Sequence, residues 1–369
     1  MVDVLLYVED PGAANFIAGV PKGLSSLGIS SVVIAHAHAK KQLDKHGVVY
    51  VELAQSDIAS DLIQLYQPKV IASGTTDRIE SIQHGLISKG KSHGVMTIGL
   101  VDGPASYEYR FRGDGDHATY YCPDFLVVVD QATADDYERI GVPVSSIKIM
   151  GHPHYDTIYG HKARLNTANL AALKARLFEG VGQRKVLMFA AEISTSRGHA
   201  DHSPRENDSY QSEVGYIERS KILLENFIAS VKTLTEKPYL VLRLHPKNQA
   251  DEFEEFHDYF DLISQGGLSI DRVYAADMVV GITSILLEEA AMLGTPVVAM
   301  IRREVEMNWL RGIKQGVVPA ARDRQALSQV LATFEAGQIE PMNTETVLIS
   351  GANEQLVEFI SKGVICESL

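Results

Sequence analysis

Cysteine is nearly absent from this chain: Cys122 and Cys366 are the only two in 369 residues. So few thiols, so far apart, exclude a disulfide framework or a cysteine-ligated zinc site and fit a reducing cytoplasm. Long hydrophobic runs are lacking too. No stretch approaches the roughly 18–20 apolar residues of a membrane span, and the opening MVDVLLYVED has no basic segment and breaks at Glu9 and Asp10, so no signal peptide is read there. Positive charge is in deficit, with 34 Lys and Arg against 47 Asp and Glu and a net charge of −13. A field of that sign disfavours nucleic acid as the main partner while leaving room for a local cationic pocket that takes phosphates. The expectation is a cytosolic protein, with a peripheral visit to a membrane-bound acceptor left open. Repeats at solenoid spacing are also missing.

What is present is a globular composition, 45% hydrophobic and 22% charged. The length exceeds what one core serves, about 250–300 residues, so two domains are expected. Short apolar runs alternate with helical patterns, the signature of βαβ units around a parallel sheet. Strand candidates in the first 150 residues are Val4–Val8, Ser31–Ala35, Val48–Val51, Val70–Ala72, Thr97–Val101, Phe125–Val129 and Lys148–Met150, with a helix from about Asn15 to Leu27. Next comes a connector with a helix near Thr167–Phe178. A second series runs through Val186–Ala191, Leu240–Leu244, Leu268–Ile270, Met278–Val280 and Val297–Met300, with helical periodicity in Val214–Leu234 and Ile285–Leu293. The expected organisation is an α/β domain over 1–156, a linker over 157–184, a second α/β domain over 185–343 and one or two helices over 344–369. Between them, the polar segment 192–210 directly succeeds a strand, where open α/β sheets bind ligands; it is read as a functional or a disordered loop.

Three segments carry chemistry. In GITSILLEEAAMLGTPVVAM (281–300), a strand meets a small polar turn and then a helix. The free N–H groups of that helix start, with the hydroxyls of Thr283 and Ser284, suit a phosphate, and Glu289 one turn on suits ribose hydroxyls. The plainer reading is a capped helix with one exposed acidic residue. In YLVLRLHPK (239–247), a buried strand runs into Arg243, His245 and Lys247. Arginine grips a pyrophosphate by bidentate contacts, lysine acts as a point charge, and His245 can donate to a leaving phosphate; a structural histidine after a strand is the alternative. In GHPHYD (151–156), Asp156 reads as a cap of the connector or a fixer of the inter-domain hinge, architectural rather than catalytic.

Taken in order, GHPHYD, LRLHPK and GITSILLEEAAMLGTPVV resemble the GT-B fold glycosyltransferases, near the bacterial Kdo and sialic acid transferases, the CDP-glycerol glycerophosphotransferases and the non-hydrolysing UDP-N-acetylglucosamine 2-epimerases. The resemblance covers roughly 145–300. It implies two Rossmann-like doubly wound domains facing across a cleft, the C-terminal one holding the donor nucleotide and the N-terminal one the acceptor and the base. By this resemblance His245 matches the HP motif, Thr283 and Ser284 the serine/threonine motif, and Glu289 the acidic residue that holds the donor ribose.

The resemblance implies chemistry without a metal or other cofactor, so a carboxylate or histidine must take the acceptor proton. Asp102, in Leu100-Val-Asp-Gly-Pro104, is the first candidate, although the sialate enzymes carry two acidic residues there. Asp10 beside Glu9 is the second. Either aspartate can equally be a turn former or cap. Tyr107, Tyr109, Arg110 and Arg112 line an acceptor groove or a helix surface. Metal ligation by His36 with His38, by the His199–Asp201–His202 cluster or by the calcium-like Gly113-Asp-Gly-Asp116 is the lesser reading of each. The expected function is a metal-independent glycosyltransferase that moves a sugar from a nucleotide-sugar donor to a glycan or lipid-linked acceptor in surface polysaccharide biosynthesis. The alternatives are a UDP-N-acetylglucosamine 2-epimerase, which needs no acceptor, and a non-catalytic nucleotide-sugar-binding subunit. Donor, acceptor, stereochemical outcome and oligomeric state are not legible in the sequence.

Overall fold

The computed structural model describes residues 1–53, 58–165, 169–193, 204–249, 251–266, 269–342, 344 and 349–365. The chain divides into two compact units, one formed by 1–157 with 349–369 and the other by 158–348. Both are α/β, with every paired strand parallel to its neighbours.

In the first unit the strands are β1 (Val4–Val8), β2 (Ser31–Ala35), β3 (Val51–Glu52), β4 (Val70–Gly74), β5 (Met96–Leu100), β6 (Phe125–Val128) and β7 (Ile147–Ile149). They lie in the order β3-β2-β1-β4-β5-β6-β7, and Val4 pairs with Ser31 on one side and Val70 on the other. All five residues of β1 are buried, as a parallel strand covered on both faces requires. The helices are α1 (Pro11–Ile17), α2 (Val20–Ser26), α3 (Ala39–His46), α4 (Ala59–Tyr66), α5 (Ile82–Ser92) and α6 (Gln131–Arg139). The single helix expected over Asn15–Leu27 is therefore two. Pro21 at the second position of α2 has no N–H to offer the preceding turn and its ring crowds the residue before it, so the chain breaks at Ala18 and Gly19.

Helix α7 (Pro153–Leu165) contains the unit boundary. The second unit continues with α8 (Leu170–Leu177), β8 (Val186–Ala190), α9 (Arg219–Val231), β9 (Tyr239–Arg243), β10 (Leu262–Ser264), α10 (Ser269–Ala275), β11 (Met278–Gly281), α11 (Ile285–Leu293), β12 (Val297–Met300), α12 (Arg311–Lys314), β13 (Ala320–Ala321) and α13 (Arg324–Glu335). Its sheet runs β10-β9-β8-β11-β12-β13, with its core between the sheet and α9 and α13, around Phe189, Phe227, Leu242 and Leu331. Two expectations need correction. Ile270, read as the end of a strand, belongs to α10, and Leu268 lies outside the described residues; a three-residue apolar run carries no period that tells strand from helix. The helical pattern over Val214–Leu234 contracts to Arg219–Val231.

The last helix, α14 (Ala352–Ile365), returns to the first unit. Its Leu356, Val357 and Ile360 are buried with Val4, Leu6 and Phe16 in one core. Asp156 accepts the N–H of Gly351 and of Asn353, both at 2.9 Å, and so caps this helix from 195 and 197 residues away in sequence. Among the described residues no helix is long and apolar enough to cross a membrane.

Candidate functional site

In a doubly wound sheet, ligands bind beyond the carboxyl ends of the strands, where the strand order reverses. The first unit reverses between β1 and β4. Glu9, just past β1, is buried and fully engaged: it accepts Tyr7 Oη at 2.9 Å and Ser81 Oγ at 2.5 Å, and pairs with Arg78 Nη1 at 3.2 Å. Burial, and then the Glu9 charge, raise the Tyr7 phenol above its ordinary range. Asp10 stands at the N-cap of α1 in extended conformation, and its side chain makes no capping bond.

Asp102 lies just beyond β5 and is held from two sides. Its Oδ1 accepts Arg110 Nη1 at 2.7 Å. Its Oδ2 lies against Gly12 in the first turn of α1, only 1.9 Å from where a β-carbon on that residue would stand. The two aspartates read as candidate bases thus meet the same helix start, Asp10 by opening it and Asp102 by packing on it. Arg110, read as an acceptor-groove or surface residue, points inward: Nη1 also donates to Thr75 Oγ1 at 2.7 Å, and Nε to the carbonyl of Ala105 at 2.9 Å. Its own carbonyl accepts Gln83 Nε2 at 2.6 Å. The loop that carries it is pinned by the buried Phe111 and turns through Ser106 at φ 58°, a left-handed backbone that costs energy for a residue with a side chain. This partner of Asp102 was hidden from sequence reading because an arginine in a polar loop carries no mark of burial.

The second unit reverses between β8 and β11. The turn after β11 has Thr283 and then Ser284, whose Oγ caps α11 by accepting the N–H of Leu286 at 3.3 Å. At its other end α11 stops at Gly294, in the left-handed conformation (φ 85°) that glycine adopts without strain. Thr283 is already engaged: Glu192, two residues beyond β8, accepts both its N–H and its Oγ1, the latter at 3.0 Å. Glu192 was not singled out from the sequence, where it merely opens a long polar segment. Of that segment, 194–203, with Arg197, His199, Asp201 and His202, lies outside the described residues. Its far end is anchored, with Asp208 bound by Arg302 at 2.9 Å and by Arg303 at 2.6 and 2.8 Å.

The acidic pair of α11 divides its work. Glu288 accepts the N–H of Gly312 and faces Arg311 at 3.7 Å, fixing the start of α12. Glu289 is buried as well, within electrostatic reach of Arg243. Arg243 itself, the last residue of β9, is buried and donates to Ser264 Oγ at 2.9 Å and to the Gly266 carbonyl at 2.7 Å. Burial above all, with Arg272 nearby, lowers its guanidinium to about 10, and Glu289 opposes that shift. Arg243 is thus tied through Nη1 to β10 and the loop that follows it.

The basic turn beyond β9 is built by its own bonds. The N–H of His245 donates to Asn248 Oδ1 at 2.8 Å, and the N–H of Lys247 donates to His245 Nδ1 at 3.1 Å. With Nδ1 accepting, the neutral ring carries its proton on Nε2, which makes His245 a donor at its outer nitrogen. Asn248, missed in the sequence, braces the turn through the His245 N–H, while the Lys247 N–H sets the tautomer. Strands β9 and β11 flank β8 in parallel, so the turns bearing His245 and Thr283 leave the same edge of the sheet, about 10 Å apart at two inter-strand spacings. Thr283, Ser284, Glu289, Arg243, His245 and Lys247 therefore belong to one edge of one unit. Among the described residues, no group of three or more His, Cys, Asp or Glu is placed to hold a metal ion.

No family model and no curated protein matches the sequence. Solved structures do match along the whole chain. UDP-GlcNAc 2-epimerase from Neisseria meningitidis bound to UDP-GlcNAc is 14% identical, covers 98% of this chain and 100% of its own, and has a TM-score of 0.68. The Methanocaldococcus jannaschii UDP-GlcNAc 2-epimerase in complex with UDP-GlcNAc and UDP is 11% identical over 97% and 99% of the two chains, with a TM-score of 0.66. Anabaena HepE in complex with UDP-glucose is 13% identical over 98% and 100%, also at 0.66. Identities this low speak for the fold: two Rossmann-like α/β units of the GT-B type.

Proposed function

We propose that this protein is a nucleotide-sugar enzyme that binds a UDP-sugar through its second unit and inverts the sugar at C2, in the manner of a UDP-N-acetylglucosamine 2-epimerase. The observation that carries this reading is the likeness along 97–98% of the chain to epimerases holding UDP-GlcNAc or UDP, joined to a strand edge with groups suited to such a ligand. In the proposal Glu289 accepts from the ribose hydroxyls. His245, through Nε2–H, and Lys247 meet the diphosphate, and the Ser284 turn presents the N-terminal amides of α11 to it. Thr283, committed to Glu192, contributes by holding the turn, and Arg243 contributes charge from its buried place. Asp102 is the proposed acid or base, with Asp10 as its alternative, and the reading draws on protein groups alone.

Glycosyl transfer is the second reading. It is favoured by the orientation of Asp102, whose carboxylate Arg110 fixes at 2.7 Å in the way a base for an acceptor hydroxyl needs to be held, and by HepE in complex with UDP and glucose. One experiment divides the two. The protein is incubated with UDP-GlcNAc in deuterated water, without acceptor, and monitored by proton NMR. Epimerisation gives a second anomeric signal with deuterium at C2. An unchanged sugar, with UDP released only when a glycan or lipid-linked acceptor is added, sinks the epimerase and leaves the transferase.

A further inference from the structure

Beyond its hold on Thr283, Glu192 bridges the point of strand reversal in the second unit, with a side chain only 12% exposed. One oxygen accepts the Thr283 N–H; the other accepts Thr283 Oγ1 at 3.0 Å and Arg219 Nη1 at 3.2 Å. Arg219, from α9, is 3% exposed and shared: Nε donates to Glu306 at 3.0 Å, and the guanidinium lies over the Trp309 ring at 5.0 Å. Glu306 in turn accepts the N–H of Arg302 at 2.9 Å. The charged groups facing Glu192 are thus Arg219 of α9 and Glu306 of the short 3-10 turn Glu304–Asn308, while the turn before α11 supplies only neutral donors. Both carboxylates bond the Arg219 guanidinium, and Arg302, paired with Asp208 at 2.9 Å, lies within electrostatic reach of Glu306.

We propose that Glu192 is a positioning residue for the nucleotide, clamping the Thr283–Ser284 turn and taking up a proton when a diphosphate settles beside it. This rests on the reading of the second unit as the nucleotide-binding one. The physical argument is charge balance. Glu192 and Glu306 both draw on Arg219, the nearby Arg302 guanidinium is held by Asp208 at 2.9 Å, and a diphosphate adds further negative charge in a medium that screens poorly. Burial already lifts the Glu192 carboxyl above the ordinary glutamate range, against the opposing pull of Arg219 and of the Thr283 donors. Protonating Glu192 is therefore the least costly relief, and one oxygen still accepts the Thr283 N–H.

The test is calorimetric titration of UDP into the protein in two buffers of different ionisation enthalpy at one pH near ~7, where proton uptake appears as a buffer-dependent heat. Inorganic pyrophosphate is a second titrant. The wild type takes up a large fraction of one proton per UDP bound. Glu192→Gln, which keeps the shape and an acceptor for the Thr283 N–H, takes up none and binds UDP within a few-fold of wild type. Glu192→Ala, which frees the turn, binds about tenfold more weakly at unchanged thermal stability, and Gln restores most of that loss. UDP binding without proton uptake, or with the same uptake in Glu192→Gln, overturns this inference and leaves the nucleotide reading standing. Pyrophosphate binding with Glu192-dependent uptake in the absence of UDP binding supports the inference and sinks the uridine nucleotide. Binding of neither overturns both.

Discussion

Asp102, in the loop beyond β5, meets Gly12 in the first turn of α1: Asp102 Oδ2 occupies the space in which a β-carbon on Gly12 would stand, 1.9 Å from its position. Glycine is needed here for close approach, since α1 is an ordinary right-handed helix at this residue. Gly12→Ala must therefore push Asp102 away from Arg110. The expected result is a loss of turnover of about 10²-fold or more, as for a misplaced acid–base group, with far-ultraviolet circular dichroism unchanged. Full activity in Gly12→Ala would separate Asp102 from the chemistry.

Asp102→Asn keeps the size of the side chain and removes its charge. Turnover should fall by about 10²–10⁴-fold while UDP affinity, measured by calorimetry, stays within a few-fold. Asp10→Asn is the control for the second candidate. If that variant loses turnover and Asp102→Asn does not, the base is Asp10.

Glu289→Gln tests the nucleotide edge. A charged acceptor for ribose hydroxyls contributes about 1.5–3 kcal/mol, so UDP affinity should drop by roughly 10–100-fold. His245→Ala removes the Nε2 donor and should lower turnover more than it raises KM. Equal UDP affinity in wild type and Glu289→Gln would exclude the ribose role.

Asp156→Ala strips the cap from α14. Loss of such a cap costs about 0.5–2 kcal/mol, read as a lower midpoint in urea unfolding at unchanged slope. The paired readout is faster proteolytic release of the terminal helix. A wild-type midpoint would mean that the two bonds to Gly351 and Asn353 add nothing to stability.

Asp3 offers a pH signature independent of any site. Hydrogen bonds from Ser30, then Lys69, hold its carboxyl down at about 2, below the ordinary 3.8. Because the folded value is the lower one, the stabilisation is complete above the unfolded value and is lost as pH falls from about 4 towards 2. Asp3→Asn should flatten the acid limb of the unfolding midpoint between those values and leave the neutral limb parallel to wild type. Identical acid limbs would remove Asp3 from the account.

The sheets were largely legible in the sequence, because a strand buried on both faces shows as an unbroken apolar run, as Val4–Val8, Val186–Ala190 and Val297–Met300 do. The short edge strands β10 and β13 were not, since two or three residues at a sheet margin need little hydrophobicity and leave no period. At the candidate site, the turn at Thr283 and Ser284 and the His245 turn could be read from residue type and position. The inward turn of Arg110, the ties of Arg243 to Ser264 and Gly266, and the grip of Glu192 on Thr283 could not. Most of these bonds join residues distant in sequence, such as the 91 positions between Glu192 and Thr283, and whether a charged side chain is spent on structure or offered to a ligand depends on such pairings.

The return of α14 bears on how the molecule is made. The first unit receives its final helix only after the whole of the second, 158–348, has been synthesised, so its core, with the places of Leu356, Val357 and Ile360 unfilled, must wait as a partly wet surface on the ribosome. Each of those side chains contributes about 1.5–3 kcal/mol when it docks. A nascent chain arrested before residue 349 would thus carry a finished second unit beside an incomplete first one. Such a chain would leave open to water the apolar face that Leu356, Val357 and Ile360 cover in the finished unit.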